Sequence, residues 1–213
     1  MASEAVQILF AIVFVGIPGT GKTTIGLALA ALLISMGIKV VYLDQDMFIP
    51  ADECDSKKAS AIAKAEYLRQ IGLYIAAGYS VILGKSHPTV YTREEVFEIL
   101  RQHNVQTHVV VNLVPSDYDT KYSVIHKTLL ERIQFRKTQS TLTWKEAPQA
   151  LNTIFGPVVV KKFINDKNVV VAGFERPTEV KDVLDLPLET PVSGKVKKIV
   201  TTLQRMRIIP ECK

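Results

Sequence analysis

Residues 16–24 (GIPGTGKTT) set glycine, lysine and threonine at the spacing GxxxxGK[ST]. Such a loop curls so that backbone N–H groups point inward at phosphate oxygens, and the helix it opens adds partial positive charge. Gly16, Gly19, Thr20, Gly21, Lys22, Thr23 and Thr24 are therefore the candidate nucleotide-binding set. Lys22 is placed to reach the β- and γ-phosphates of ATP or GTP, and the Thr23 hydroxyl to bind Mg²⁺. A nucleotide loop does not by itself name a reaction. The DxxG and NKxD segments of a GTPase switch do not occur, and the chain is short for a large motor.

Other groups could complete a phosphoryl transfer. The segment Leu43-Asp44-Gln45-Asp46 ends a predicted strand, where side chains of a parallel sheet face the ligand crevice. Asp46 is the candidate base for an attacking hydroxyl, and Asp44 could touch the Mg²⁺ shell through water. Turn-forming aspartates ending a strand would read the same way. Lys85, Ser86, His87 and Arg93 follow the next predicted strand, and His87 and Arg93 are candidate substrate contacts beside Asp44. Farther on, Arg132 and Arg136 stand four residues apart on one helix face. Two arginines on a lid could neutralise charge spreading over a transferring phosphoryl group, and a solvated basic face is the alternative.

These residues need a scaffold, and the hydrophobic pattern supplies one. Residues 8–15, 39–43, 80–83, 107–113 and 168–172 read as strands, separated by helices at 22–36, 56–77, 92–102, 119–137 and 143–155, with a closing helix at 194–207. The 92–102 helix has Thr92 as its expected cap and Glu95 as capping-box partner. Residues 175–191 carry three prolines without periodicity and read as a surface connection. Strands rich in Val and Ile that alternate with helices predict an α/β fold. The expected form is a three-layer P-loop NTPase sandwich with about five mostly parallel strands, helices on both faces and a helical lid. No internal linker appears, so residues 1–213 are expected to form one domain.

Composition narrows the class. A 47% hydrophobic and 22% charged chain supports a sizeable core and argues against extended disorder. The net charge of +5 suits a polyanionic partner such as nucleotide or RNA, though many soluble proteins carry as much. Cys54 and Cys212 form no metal or disulfide pattern, as expected of free thiols in a reducing compartment. The apolar run at 8–17 lacks the flanks of a signal peptide and is too short to span a bilayer. An intracellular protein, in cytoplasm or nucleus, with no membrane partner is the expectation.

Taken together, the P-loop, Gln45-Asp46, the His87 loop, residues 128–136 (TLLERIQFR) and the polar stretch 139–142 resemble the central kinase domain of fungal-type tRNA ligases. Gly173-Phe174-Glu175 and the later Val183-Leu184-Asp185-Leu186 look like that domain's final strand and exit. The likeness spans most of residues 11–203. It implies a 5′-hydroxyl polynucleotide kinase of the RNA-repair and tRNA-splicing kind, with Asp46 as base, Arg132 and Arg136 on the lid, and GTP favoured as donor. Ligase and phosphoesterase modules would then sit in the same chain or another. Two places depart from the pattern: Gly84-Lys85-Ser86 stands where an acidic or Asn-rich stretch is usual, and Gln139 and Ser140 stand where a histidine is usual. The LDQD turn is also similar to that of adenylylsulfate kinases, and the loop GIPGTGKTT to that of seryl-tRNA kinases. A small-molecule or aminoacyl-tRNA kinase is therefore the alternative, followed by a non-catalytic nucleotide-binding regulator.

Overall fold

The computed structural model describes residues 8–16, 20–53, 55–114 and 177–211. The predicted elements at 119–137, 143–155 and 168–172 lie outside the described residues. Within them the elements run β1 (Phe10–Val15), α1 (Lys22–Ser35), β2 (Val40–Leu43), a short 3₁₀ turn (Gln45–Phe48), α2 (Ser56–Ala76), β3 (Ser80–Leu83), α3 (Val90–Gln102), β4 (Thr107–Val114), β5 (Val183–Pro187) and α4 (Val192–Arg205). The strands form one sheet in the order β2-β3-β1-β4-β5, with every described pairing parallel. The α/β expectation holds.

Burial explains why β1 is apolar along its whole length. Phe10, Ile12 and Phe14 enter a core with Ile25, Leu29 and Leu33 of α1 and Ile199 and Leu203 of α4. Ala11, Val13 and Val15 point the other way, into a core with Tyr67, Ile71 and Ile75 of α2 and Val96 and Leu100 of α3. Each strand position alternates between faces, so a centre strand covered on both sides has no polar positions to spare. Fully burying each of its large side chains is worth about 1.5–3 kcal/mol, which makes β1 the mechanical anchor of the loop that follows it. At the far end of α1, Gly37 takes φ 78°, a conformation that costs other residues, and its N–H closes on Ile34 O at 2.9 Å.

Three sequence expectations are corrected. Helix α3 begins at Val90, and its cap is Thr89, not Thr92. Thr92 N–H donates to Thr89 Oγ1 at 3.2 Å, while Thr89 N–H donates to Thr92 Oγ1 at 3.1 Å, so threonine replaces Glu95 in the capping box. Helix α4 starts at Val192, because Pro191 (φ −55°) already has helical φ and its carbonyl accepts the first helical bond from Lys195 N–H at 3.0 Å. Within the supposed surface connection, residues 183–187 form a strand on β4, at the edge of the sheet among the described residues. An edge needs a ladder on one side only, so Pro187 can close β5 without orphaning an inner partner.

This topology decides where a ligand can sit. Helix α1, after β1, packs with α4 on one face, while α3, after the neighbouring β3, packs with α2 on the other. The crevice opens at the carboxyl ends of β1 and β3, where the connections diverge.

Candidate functional site

Gly16 leaves β1 through a narrow gap. A Cβ there would lie 2.9 Å from Thr20 Oγ1 and 3.2 Å from Leu113 Cβ, so a larger residue would push the loop off the sheet. Thr20 is buried, and Gly21 opens α1 at φ 92° with no side-chain cap hydrogen bond. The first amides of α1 therefore lack the acceptor that Ser or Asp would supply, which suits an anion. Lys22 is 8% exposed and its Nζ donates to Gly16 O at 2.9 Å, so its charge lies across the loop mouth. Thr23 is half-buried and Thr24 exposed on the first turn. Gly19 lies outside the described residues. This donor set fits a triphosphate.

Beside Thr23 stands a residue that the motif does not announce. Tyr42, in β2, is buried, and its hydroxyl donates to Asp44 Oδ2 at 2.9 Å. The Thr23 hydroxyl shares that phenol oxygen. Burial first, then the Asp44 charge, push the phenol's pKa well above its ordinary value, so it stays a proton donor. Two glycines make room for the ring. A Cβ at Gly26 would come within 2.4 Å of Tyr42 Cε2, and one at Gly84 within 2.0 Å of its Oη. The tyrosine ties Asp44 to Thr23, the two described side chains that could hold hydrated Mg²⁺. No group of three or more His, Cys, Asp or Glu side chains that could hold a metal occurs among the described residues.

Asp44 also does the work of a turn residue. Its Oδ1 accepts from Asp46 N–H at 3.4 Å at the start of the 3₁₀ turn, and Gln45 Nε2 reaches across to Ser60 O of α2 at 3.2 Å. The turn carries Asp46 out to the exposed carboxyl edge. The turn-forming reading therefore holds for Asp44, whose other carboxylate oxygen accepts from Tyr42.

His87 and Arg93, expected to touch substrate, are instead enclosed at 0% exposure. Phe14 O can only accept, so the contact at 3.0 Å requires the proton on His87 Nδ1. His87 Nε2 then accepts from the Tyr67 hydroxyl at 3.2 Å. Burial holds the imidazole neutral and lowers its pKa to about 3. Arg93 Nη1 donates to His87 O at 3.1 Å, and its Nε and Nη2 form a fork on the Glu179 carboxylate. Gly16 N–H closes the assembly on Ser86 O at 3.2 Å. These bonds clamp the β3–α3 loop to the root of the phosphate loop, so the two residues position the site from inside. Arg132 and Arg136 lie outside the described residues.

A family model described as "Chromatin associated protein KTI12" matches residues 11–166. Among solved structures, the APS kinase CysC of Mycobacterium tuberculosis, in complex with AMPPNP and APS, superposes with TM-score 0.56 at 15% identity, covering 93% of this chain and 99% of that one. A gluconokinase of Sinorhizobium meliloti gives 0.55 at 17% identity, with 95% of each chain covered. A protein of Chloroflexus aurantiacus gives 0.62 at 19% identity, covering 94% and 99%. At these identities the likeness establishes a shared P-loop kinase-like fold. No curated protein sequence matches the chain. Among the described residues no helix is long and apolar enough to cross a membrane.

Proposed function

The chain belongs to the KTI12 family, and from that premise we propose that it is a Mg²⁺- and NTP-dependent phosphotransferase whose acceptor is the 5′-hydroxyl end of RNA. The observation that carries the transferase reading is the Thr23–Tyr42–Asp44 cluster beside the uncapped start of α1, with Asp46 exposed on the same edge. The APS kinase and gluconokinase likenesses support this reading at the level of fold. The RNA acceptor rests on the resemblance of residues 128–136 and the P-loop to tRNA ligase kinases, and on the net charge of +5.

In this reading the α1 amides and Lys22 hold the β- and γ-phosphates. Thr23 would hold Mg²⁺, with Asp44, fixed by Tyr42, contributing through water. The ion supplies charge neutralisation on the transferring group. Asp46 takes the proton of the acceptor hydroxyl while that oxygen bonds to the γ-phosphorus. The bond from that phosphorus to the β–γ bridging oxygen breaks, and the nucleoside diphosphate leaves. Arg132 and Arg136 would close over the three equatorial oxygens.

The test is transfer of labelled γ-phosphate from ATP or GTP to a short 5′-hydroxyl RNA, with Asp46→Ala and Lys22→Ala as controls. Labelled RNA that disappears in Asp46→Ala, with nucleotide still bound, supports the proposal and names the donor. Bound nucleotide without transfer to RNA sinks the RNA acceptor and leaves small molecules or aminoacyl-tRNA to be tried. A second reading, a nucleotide-binding regulator without transfer, is favoured by a family description that names an association with chromatin and no reaction. That reading gains if wild type and Asp46→Ala behave alike with every acceptor.

A further inference from the structure

Three elements bring charged side chains to the carboxyl edge on the α2/α3 side of the sheet, next to Asp44. Lys64 comes from α2, Lys85 from the β3–α3 loop and Glu95 from α3. Their partnering is unequal. Lys64 Nζ pairs with Glu95 Oε1 at 2.5 Å and lies 5.5 Å from the centre of the Tyr91 ring. The other oxygen, Glu95 Oε2, is buried with no hydrogen-bond partner among the described residues. The Lys85 ammonium is half-buried, 5.8 Å from the centre of the Tyr67 ring, and forms no ion pair among the described residues.

Each imbalance is costly without a ligand. A partly desolvated ammonium without a counterion loses hydration that an aromatic face only partly replaces. Burial, and then Lys64, lower the Lys85 pKa, and the carboxylates of Glu95 and Asp44 offset this only in part. A buried carboxylate oxygen without a donor has lost its hydration with nothing in exchange. A phosphate would answer the first and a hydroxyl the second. Both belong to one molecule if the acceptor carries a phosphate close to a hydroxyl group.

We propose that Lys85, backed by Lys64, forms an anion-binding subsite for a phosphate of the acceptor, and that Glu95 Oε2 accepts a hydrogen bond from a hydroxyl of the same molecule. The inference rests on reading this edge as a phosphotransferase site, and it deepens that reading by naming the acceptor class as phosphate-bearing. Tyr91, 68% exposed beside Lys64, offers a flat apolar face on which a base or a sugar could lie. The phosphate could come from a nucleic-acid backbone or from a small metabolite, since the subsite chemistry is common to both.

The experiment is equilibrium binding by calorimetry, with the phosphate loop saturated by AMPPNP and Mg²⁺. The probes are adenosine 3′-monophosphate, phosphate-free adenosine, and the non-nucleotide glycerol 3-phosphate. Wild type should prefer a phosphate-bearing probe to adenosine by about tenfold or more, the range of a charge-assisted hydrogen bond. Lys85→Met, which keeps the stem over Tyr67, should erase that preference with AMPPNP affinity unchanged, and Lys85→Arg should restore most of it. Lys64→Met gives an independent variant should Lys85→Met misfold, and thermal melts separate folding from binding. Lys85-dependent binding of glycerol 3-phosphate but not of the nucleotide would uphold the subsite and defeat the RNA acceptor. Equal binding of all probes, or binding indifferent to both lysines, would overturn the subsite and leave phosphoryl transfer to be judged by its own assay.

Discussion

Lowering the pH below about 6.5 should destabilise this protein through His87, whose free imidazole titrates near there. In the folded chain the neutral ring donates from Nδ1 to Phe14 O and accepts at Nε2 from Tyr67, and burial lowers its pKa to about 3 from the 6.5 of a free imidazole. The folded pKa is depressed, so between those two values the unfolded chain binds a proton that the folded chain refuses. The stability is fully present above pH 6.5 and declines as pH falls towards 3. The slope is about 1.4 kcal/mol per pH unit, so a drop of about 1.5 units, to about pH 5, removes about 2 kcal/mol. That is a large share of the 5–15 kcal/mol, approximately, that holds a typical domain together. Urea unfolding at a series of pH values measures it, with His87→Asn as the reference. Asparagine tolerates the left-handed backbone of position 87 (φ 43°) and does not titrate. It should lower stability at every pH and flatten the dependence between about pH 5 and about pH 6.5 relative to wild type. Carboxylates and the other histidines contribute to both proteins and cancel in the difference. Equal slopes in wild type and variant over that interval would refute the buried neutral imidazole and the clamp built on it.

Other perturbations probe the same site. Glu179→Ala removes the carboxylate that the enclosed Arg93 guanidinium forks and should cost about 1.5–3 kcal/mol, read as a lower urea midpoint at neutral pH. Gly84→Ala drives a methyl group into the Tyr42 hydroxyl and should cost about 1–3 kcal/mol, with weaker Mg²⁺-dependent nucleotide binding. Tyr42→Phe keeps the ring but removes the bond to Asp44, so Mg²⁺ titration in the presence of AMPPNP should shift to higher concentration with little change in melting temperature. Lys22→Ala should abolish AMPPNP binding in the same calorimetric assay while the protein still melts cooperatively.

Sequence alone determined what is local. The phosphate loop is contiguous, so the tight passage at Gly16, the left-handed Gly21 and the opening of α1 at Lys22 and Thr23 could be read directly. The paired aspartates after β2 were legible because a strand's carboxyl end faces the crevice in any parallel sheet. Strand β5 escaped because, paired on one side only among the described residues, it tolerates proline and shows little of the apolar run of β1. Tertiary structure alone decided the roles of His87, Arg93 and Tyr42. His87 meets Phe14 across 73 positions of chain and Arg93 meets Glu179 across 86, distances over which composition and periodicity carry no information. Tyr42 reads as one more strand residue until folding brings Gly26 of α1 against the Cδ2–Cε2 edge of its ring and Gly84, after β3, against its hydroxyl. A polar side chain near a ligand crevice has the same spelling whether it faces the ligand or the core. Burial decides between them, and burial is a property of the whole packed molecule.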